Sequence, residues 1–312
     1  MRITRLALAA AAALALAGCG STARAPSTGT SQPSSAPLST TTGSNSTAGA
    51  ASPGRVAHPQ APQTLIGDPT ATTSTTATST TAQRTAPSTV GLPLAGRTVG
   101  IDPGHNGGNF TDPGYINHLI WDGRGMKVCN TTGTATGSGY TEAQFNFNVA
   151  TDLAADLEAQ GARVVMTRHT NTGVGPCTNV RAAILNRSGA AVAISIHADG
   201  GPASGRGVAV LEPVADGPND NVIGASDQFG QDVLDQFETL TGMPPSTYDG
   251  TGGIVHRDDL TGLNLTTVPE VLIESGNMAN ATDAALLVSP SFQRLEARAL
   301  DRAIRQFLTG TP

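Results

Sequence analysis

The 312-residue chain is poor in charge: Asp, Glu, Lys and Arg make up 13% of it, and lysine occurs once, at Lys127. With a formal net charge of −6 it has no basic face of the kind a nucleic-acid partner requires, so that class of function is excluded. Aromatic residues amount to 4%, with a single tryptophan, Trp121. Cysteine is scarce as well, with only Cys19, Cys129 and Cys177. No internal repeat and no second folded module can be read along the chain, and a monomer is expected.

What is present first is an N-terminal leader. Residues 1–18 carry Arg2 and Arg5 ahead of an Ala/Leu-rich run too short for a permanent membrane span, the pattern of a secretory signal. Leu16-Ala17-Gly18-Cys19 resembles the bacterial lipobox, which implies cleavage before Cys19 and a lipid on that cysteine; an ordinary signal peptide is the alternative. Either reading exports the protein, and the first places it at the outer face of the cell membrane, anchored through its N-terminal lipid. Residues 19–90 are Ser, Thr, Ala, Pro and Gly with almost no large apolar side chains, a composition that cannot offset its own ordering entropy. A flexible tether of this length reaches roughly 45–50 Å. With Cys19 set aside, Cys129 and Cys177 form an even pair in an oxidising compartment, and a disulfide between them is expected.

Residues 91–312 are long enough for one domain with a full core. Thr98-Val99-Gly100-Ile101-Asp102-Pro103-Gly104-His105 reads as a buried strand stopped by a turn that presents an imidazole. Ala191 to Asp199 repeats the pattern, an apolar run delivering His197. Open α/β sheets build their sites at the carboxyl ends of such strands, and two histidines there suggest a metal. Between them a long loop runs from Asn106 to Gly139, and then Thr141-Glu142-Ala143-Gln144 forms a capping box. Phe145, Val149, Leu153 and Leu157 follow at helical spacing, up to Gly161. A strand at Arg163–Thr167, a helix at Asn179–Arg187, a strand at Gly207–Leu211 and a helix at Asp227–Leu240 come next. The last elements are a strand at Glu270–Glu274 and a helix at Ser291–Leu308 with Phe292, Leu295, Ala299, Ala303 and Phe307 inward. This alternation predicts an α/β fold, a mostly parallel twisted sheet with helices on both faces.

Glu142 in the first helical turn suits the helix dipole by itself. Taken with His105 and His197, it also completes the two-imidazole, one-carboxylate set of catalytic zinc sites that keep a position open for water. Val271-Leu272-Ile273 runs straight into Glu274, which is expected at the pocket as general base; Glu270, at the start of that strand, is the rival and is expected at the opposite, structural edge. His118 and His169 read as loop or surface residues, and His58 lies in the tether.

Ile101-Asp102-Pro103-Gly104-His105, Glu142, Ser195-Ile196-His197-Ala198-Asp199 and Val271-Leu272-Ile273-Glu274 through Asn280 together resemble the zinc-dependent N-acetylmuramoyl-L-alanine amidases of bacterial cell walls. The likeness spans about Thr98 to Leu308. It implies Zn²⁺ on His105, Glu142 and His197, water activation by Glu274, and peptidoglycan or muropeptides as substrate, cut between the muramic lactyl group and the stem L-alanine. Arg181 and Asn186 resemble the family's Arg-x3-Ala-Asn helix, with Leu185 in place of the alanine, and Asp199 stands where many members carry asparagine. Asp199, and His256 with Arg257, are candidate substrate contacts. The alternatives are a zinc hydrolase cutting another wall amide and a non-catalytic wall-binding lipoprotein.

Overall fold

A computed structural model describes residues 91–312; the leader, Cys19, His58 and the tether lie outside the described residues. In chain order the elements are β1 (Thr98–Pro103), α1 (Pro113–Ile116), β2 (Leu119–Trp121), β3 (Met126–Val128), α2 (Glu142–Ala159), β4 (Arg163–Met166), α3 (Thr178–Ser188) and β5 (Val192–Asp199). They continue with β6 (Ala209–Pro213), α4 (Ile223–Thr241), β7 (Ile254–Arg257), α5 (Thr261–Leu265), β8 (Glu270–Asn277), α6 (Ala281–Leu287) and α7 (Pro290–Thr309).

Six strands form one sheet in the order β4-β1-β5-β8-β6-β7. The first four are mutually parallel, as expected. β6 runs antiparallel to β8 and carries β7 parallel to itself, so the sheet ends in a reversed pair. β7 and the short α5 and α6 go beyond the expected element list, because four to seven residues give too little periodicity to read.

Alternation along the strands divides the sheet into two unlike faces. Val99, Ile101, Ile194, Ile196, Val271, Ile273 and Val210 face α2, α4 and α7, and with Phe145, Phe229, Phe237 and Phe292 they form the main core. The opposite face, under α3 and α5, has small apolar clusters around Leu185 and Leu263. It also carries Asp102, Ser195 and Glu270, all buried. Thr141 caps α2, its Oγ1 accepting from the Gln144 amide at 3.3 Å, as the capping box predicts.

The inward stripe of α7 differs in one place from the expected one. Leu295 is only partly buried, whereas its neighbour Glu296 is fully buried and accepts a hydrogen bond from Ser275 Oγ at 2.5 Å. The stretch expected as a long loop holds a 3-10 turn, α1 and a β2–β3 hairpin. Cys129 and Cys177 are bonded, Sγ to Sγ 2.13 Å, tying the end of this hairpin to the start of α3.

Candidate metal centre and its cavity

The end of β1 is held open by glycine. A Cβ on Gly104 would lie 2.2 Å from ring atoms of His197, so only a residue without one lets the turn pass that imidazole. His105 follows with φ +56°, the one non-glycine residue in the left-handed region among those described. Such strain persists where the surroundings over-determine it, and here they do. Arg181, buried in α3, donates to the carbonyl oxygens of Pro103 at 2.7 Å and His105 at 2.5 Å. Arg168, at the end of β4, donates to the Pro103 and Gly104 carbonyls at 2.9 and 3.1 Å and to Ala143 in α2 at 2.8 Å. Burial and the neighbouring Arg181 pull its pKa down to about 9, so it stays cationic at neutral pH.

Asp102 anchors the same clamp. Its Oδ1 meets Arg181 Nη1 at 2.7 Å and accepts from Thr167 Oγ1, while Oδ2 accepts from Ser195 Oγ at 3.1 Å. Burial opposes its charge, but Arg181 and these bonds prevail and hold the carboxyl below its ordinary value.

Three donors converge above the clamp. Glu142 Oε1 lies 3.1 Å from His105 Nε2 and 2.8 Å from His197 Nδ1, and the two rings meet edge-on with centroids 4.8 Å apart. Thr131 O lies 3.2 Å from His105 Nδ1, so a proton there leaves Nε2 with its lone pair directed at the centre. Glu142 Oε2 accepts from the Thr134 amide at 2.9 Å. A Cβ on Gly133 would sit 2.7 Å from Glu142 Oε2, so this loop too must be bare to approach. Burial opposes ionisation of Glu142, yet the two imidazoles hold its pKa well below the carboxylate range. Burial chiefly lowers the pKa of His197, which keeps it in the neutral form that binds metals. Two imidazoles and an ionised carboxylate, fixed from outside and converging on one point, fit a divalent transition metal.

Glu274 lies across from His197 in the register of β5 and β8. Its Oε2 is buried without a hydrogen-bond partner among the described residues. Burial, then the charges of Glu142 and Asp199, push its pKa well above the ordinary value. An ionisable oxygen left unpaired beside a three-ligand cluster is positioned to meet something that arrives there. Asp199 Oδ2 accepts from Tyr248 Oη at 2.7 Å, and the Tyr248 ring packs over Gly201 and Gly205.

Below the cluster a cavity of about 360 Å³ runs along the polar face, past Ser195 and Leu272 to Glu270, under Lys127 of the hairpin and Leu263 of α5. Glu270 does start β8, away from His197, but it lines this cavity with a pKa raised to about 8 by burial. Arg257 reaches the rim through Asp259, pairing with its Oδ1 at 2.6 Å. His256 is not brought there: it pairs with Glu212 across β6 and β7, on the face that looks towards α4. His118 is exposed near Cys177, and His169 is exposed outside the cluster.

The sequence reading did not find Arg168 or Tyr248. Arg168 has no motif around it, and Tyr248 acts across 49 positions of sequence. For Tyr248 the only signal is Gly201 and Gly205, which leave a slot for a ring.

A parallel sheet whose strand ends and helix N-terminus deliver two histidines and a glutamate, with a spare buried carboxylate beside them, defines a metal-dependent hydrolase of the α/β class. Over residues 99–306 the chain matches the family model described as N-acetylmuramoyl-L-alanine amidase, and it belongs to that family. It is 41% identical over 218 residues to the N-acetylmuramoyl-L-alanine amidase Rv3717 of Mycobacterium tuberculosis, covering 69% of this chain and 88% of that one. Among solved structures it is similar to the amidase Ami1 of Mycobacterium smegmatis, with TM-score 0.66, 41% identity and coverage of 70% and 99% of the two chains. The apo form of Ami1 from Mycobacterium abscessus gives TM-score 0.65 at 42% identity, covering 69% and 100%. The protein is thus an N-acetylmuramoyl-L-alanine amidase, a hydrolase acting on peptidoglycan.

Proposed function

We propose that His105 Nε2, His197 and Glu142 hold a catalytic Zn²⁺ and that Glu274 is the general base for hydrolysis of the amide joining the muramic lactyl group to the stem L-alanine. The observation that carries this is the approach of one carboxylate oxygen, Glu142 Oε1, to nitrogens of both imidazoles at 3.1 and 2.8 Å, with Glu274 in register alongside. Bound there, zinc supplies Lewis acidity, which acidifies a water towards neutral pKa and polarises the scissile carbonyl. Glu274 takes the proton from the attacking water at its unpaired Oε2 and passes it to the leaving amine. Arg181 and Arg168 keep the His105 turn rigid during these steps, so the imidazole does not reorganise. Asp199, held by Tyr248, and Arg257, at the rim through Asp259, are the substrate-contacting groups this reading favours.

The full chain incubated with a defined muramoyl peptide should release the intact stem peptide with a free L-alanine amine by mass spectrometry, and a chelator should abolish release. Glu274→Gln should keep its zinc but lose roughly 10²–10⁴ in turnover. Near wild-type turnover in that variant would remove Glu274 from the role of base; cleavage of a different bond would overturn the substrate assignment.

The same reading includes export and a lipid on Cys19 that holds a monomeric domain at the outer face of the membrane. Cys19→Ser should then move the protein from the detergent phase to the aqueous phase in a partition assay. Unchanged partitioning would exclude the lipid anchor.

A further inference from the structure

We infer that Glu212, Asp227 and His256 form a second divalent-metal site, separate from the catalytic cluster, that takes a transition ion such as Zn²⁺ or Mn²⁺ and pins the reversed edge of the sheet to α4. These three residues each offer a ligand atom, and the atoms all lie within 4.8 Å of one another.

The position follows from the sheet. β6 pairs antiparallel with β8, Ala209 opposite Glu274 and Leu211 opposite Leu272, so the chain moves away from Glu274 as it reaches Glu212. Leu211 belongs to the cavity-side cluster and Val210 to the main core, which puts Glu212 on the main-core face, under α4. His256 is its partner on β7. Asp227 comes from the start of α4. The catalytic cluster and this group therefore occupy different ends and different faces of the sheet.

The second observation is the state of the carboxylates. Glu212 is 4% exposed, and among the described residues its side chain makes no hydrogen bond; the one basic side chain within 4 Å of it is His256, whose Nδ1 lies 3.5 Å from Oε2. A buried carboxylate without a partner is costly. Gly230 makes room for it, since a Cβ there would lie 2.2 Å from Glu212 Oε1. Asp227 Oδ1 is likewise buried and unpaired among the described residues. Burial first, and then the nearby Asp227, push the Glu212 pKa up to about 7.

One imidazole with two carboxylates is a borderline donor set. It favours Zn²⁺ or Mn²⁺ over Ca²⁺, which prefers an all-oxygen shell. The His256 side chain is 64% exposed, so it can turn to close the coordination distance, and the ion has a path from solvent.

Metal-stripped full-length protein titrated with Zn²⁺ against a competing indicator, with metal counted after gel filtration, should bind one equivalent more than Glu212→Gln or Asp227→Asn does. Zn²⁺ affinity at this site should fall at least ~10-fold in either variant. His256→Ala changes an exposed side chain and tests the same loss without risk to folding, while His197→Ala should lose the other equivalent and keep this one. If all three variants keep the wild-type count, there is no such site. If only His256→Ala reduces it, the ion is held by a surface histidine and the proposal fails.

Discussion

Gly104 shows how much of this site depends on a side chain that is not there. A Cβ there would lie 2.2 Å from ring atoms of His197, whose Nδ1 is held by Glu142 Oε1 at 2.8 Å. Gly104→Ala must therefore displace either the β1 turn, which Arg168 and Arg181 hold through carbonyls, or His197 itself. The expected outcome is loss of tight metal binding, with the fold retained, because the apolar core lies on the far face of the sheet. Metal content with circular dichroism on the same sample checks this. A Gly104→Ala protein that binds metal as the wild type does would mean that the turn is more yielding than its clamp implies. His105, Glu142, His197 and Glu274 were legible in sequence because each interrupts an apolar run or opens a capped helix. Arg168 and Tyr248 were not, since what makes them matter is a partner carbonyl or carboxylate far off in the chain. Glu296 was hidden for another reason: an apolar stripe read at helical spacing carries no mark that one of its inward positions is acidic.

Among the elements, the β2–β3 hairpin has the least core of its own. Leu119, Trp121, Met126 and Val128 are exposed, while Ile120 packs against the two cysteines in a small cluster separate from the main core. What fixes this segment is the Cys129–Cys177 bond, which closes a loop of 48 positions, together with backbone bonds such as Thr178 N to Cys129 O at 2.9 Å. A bridge over a loop of that size contributes roughly 2–4 kcal/mol. The Cys129→Ser, Cys177→Ser double variant should melt at a lower temperature by a corresponding amount. It should also lose activity more than global unfolding explains, because Thr131 and Thr134, just beyond Cys129, hold His105 and Glu142. Equal activity at a temperature where both proteins are folded would show that the loop holds without the bridge. The sequence could pair these cysteines by parity and compartment, but it could not see the hairpin they secure: three-residue strands with a charged turn look like loop. β6 was expected as a strand, but its reversed direction and the existence of β7 were invisible, because Ile254-Val255-His256-Arg257 is too short and too polar to announce a strand, and direction in a sheet leaves no trace in composition.

Across the whole molecule, acidic groups are shifted in both directions, and the balance sets how stability depends on pH. Glu296 is fully buried in the main core with Ser275 as its one hydrogen-bond partner among the described residues, and burial raises its pKa to about 8; burial likewise raises Glu270 to about 8. A carboxyl whose folded pKa lies above its unfolded value binds its proton more tightly when folded. Its contribution is complete below about pH 4.5 and is lost as pH rises towards 8. For one such group the loss by pH 7 is about 3 kcal/mol. Asp102 and Asp259 act oppositely: Arg181 and Arg257 favour their ionised forms, Asp259 down to about 2, so their contribution fades as pH falls below the ordinary aspartate value. The metal-free protein should therefore melt highest between about pH 4.5 and 6 and decline steadily towards pH 8. Glu296→Gln keeps the shape and a hydrogen bond to Ser275 but cannot ionise, so it should flatten the decline above pH 5 and raise the melting temperature most at pH 8. Melting curves of both proteins in chelator across pH 4–9 decide the matter, chelator being needed because metal binding gains with pH on its own account. A wild-type melting temperature that climbs from pH 5 to 8 would mean that Glu296 and Glu270 ionise without penalty, and the core would then have to hold a compensating charge near them.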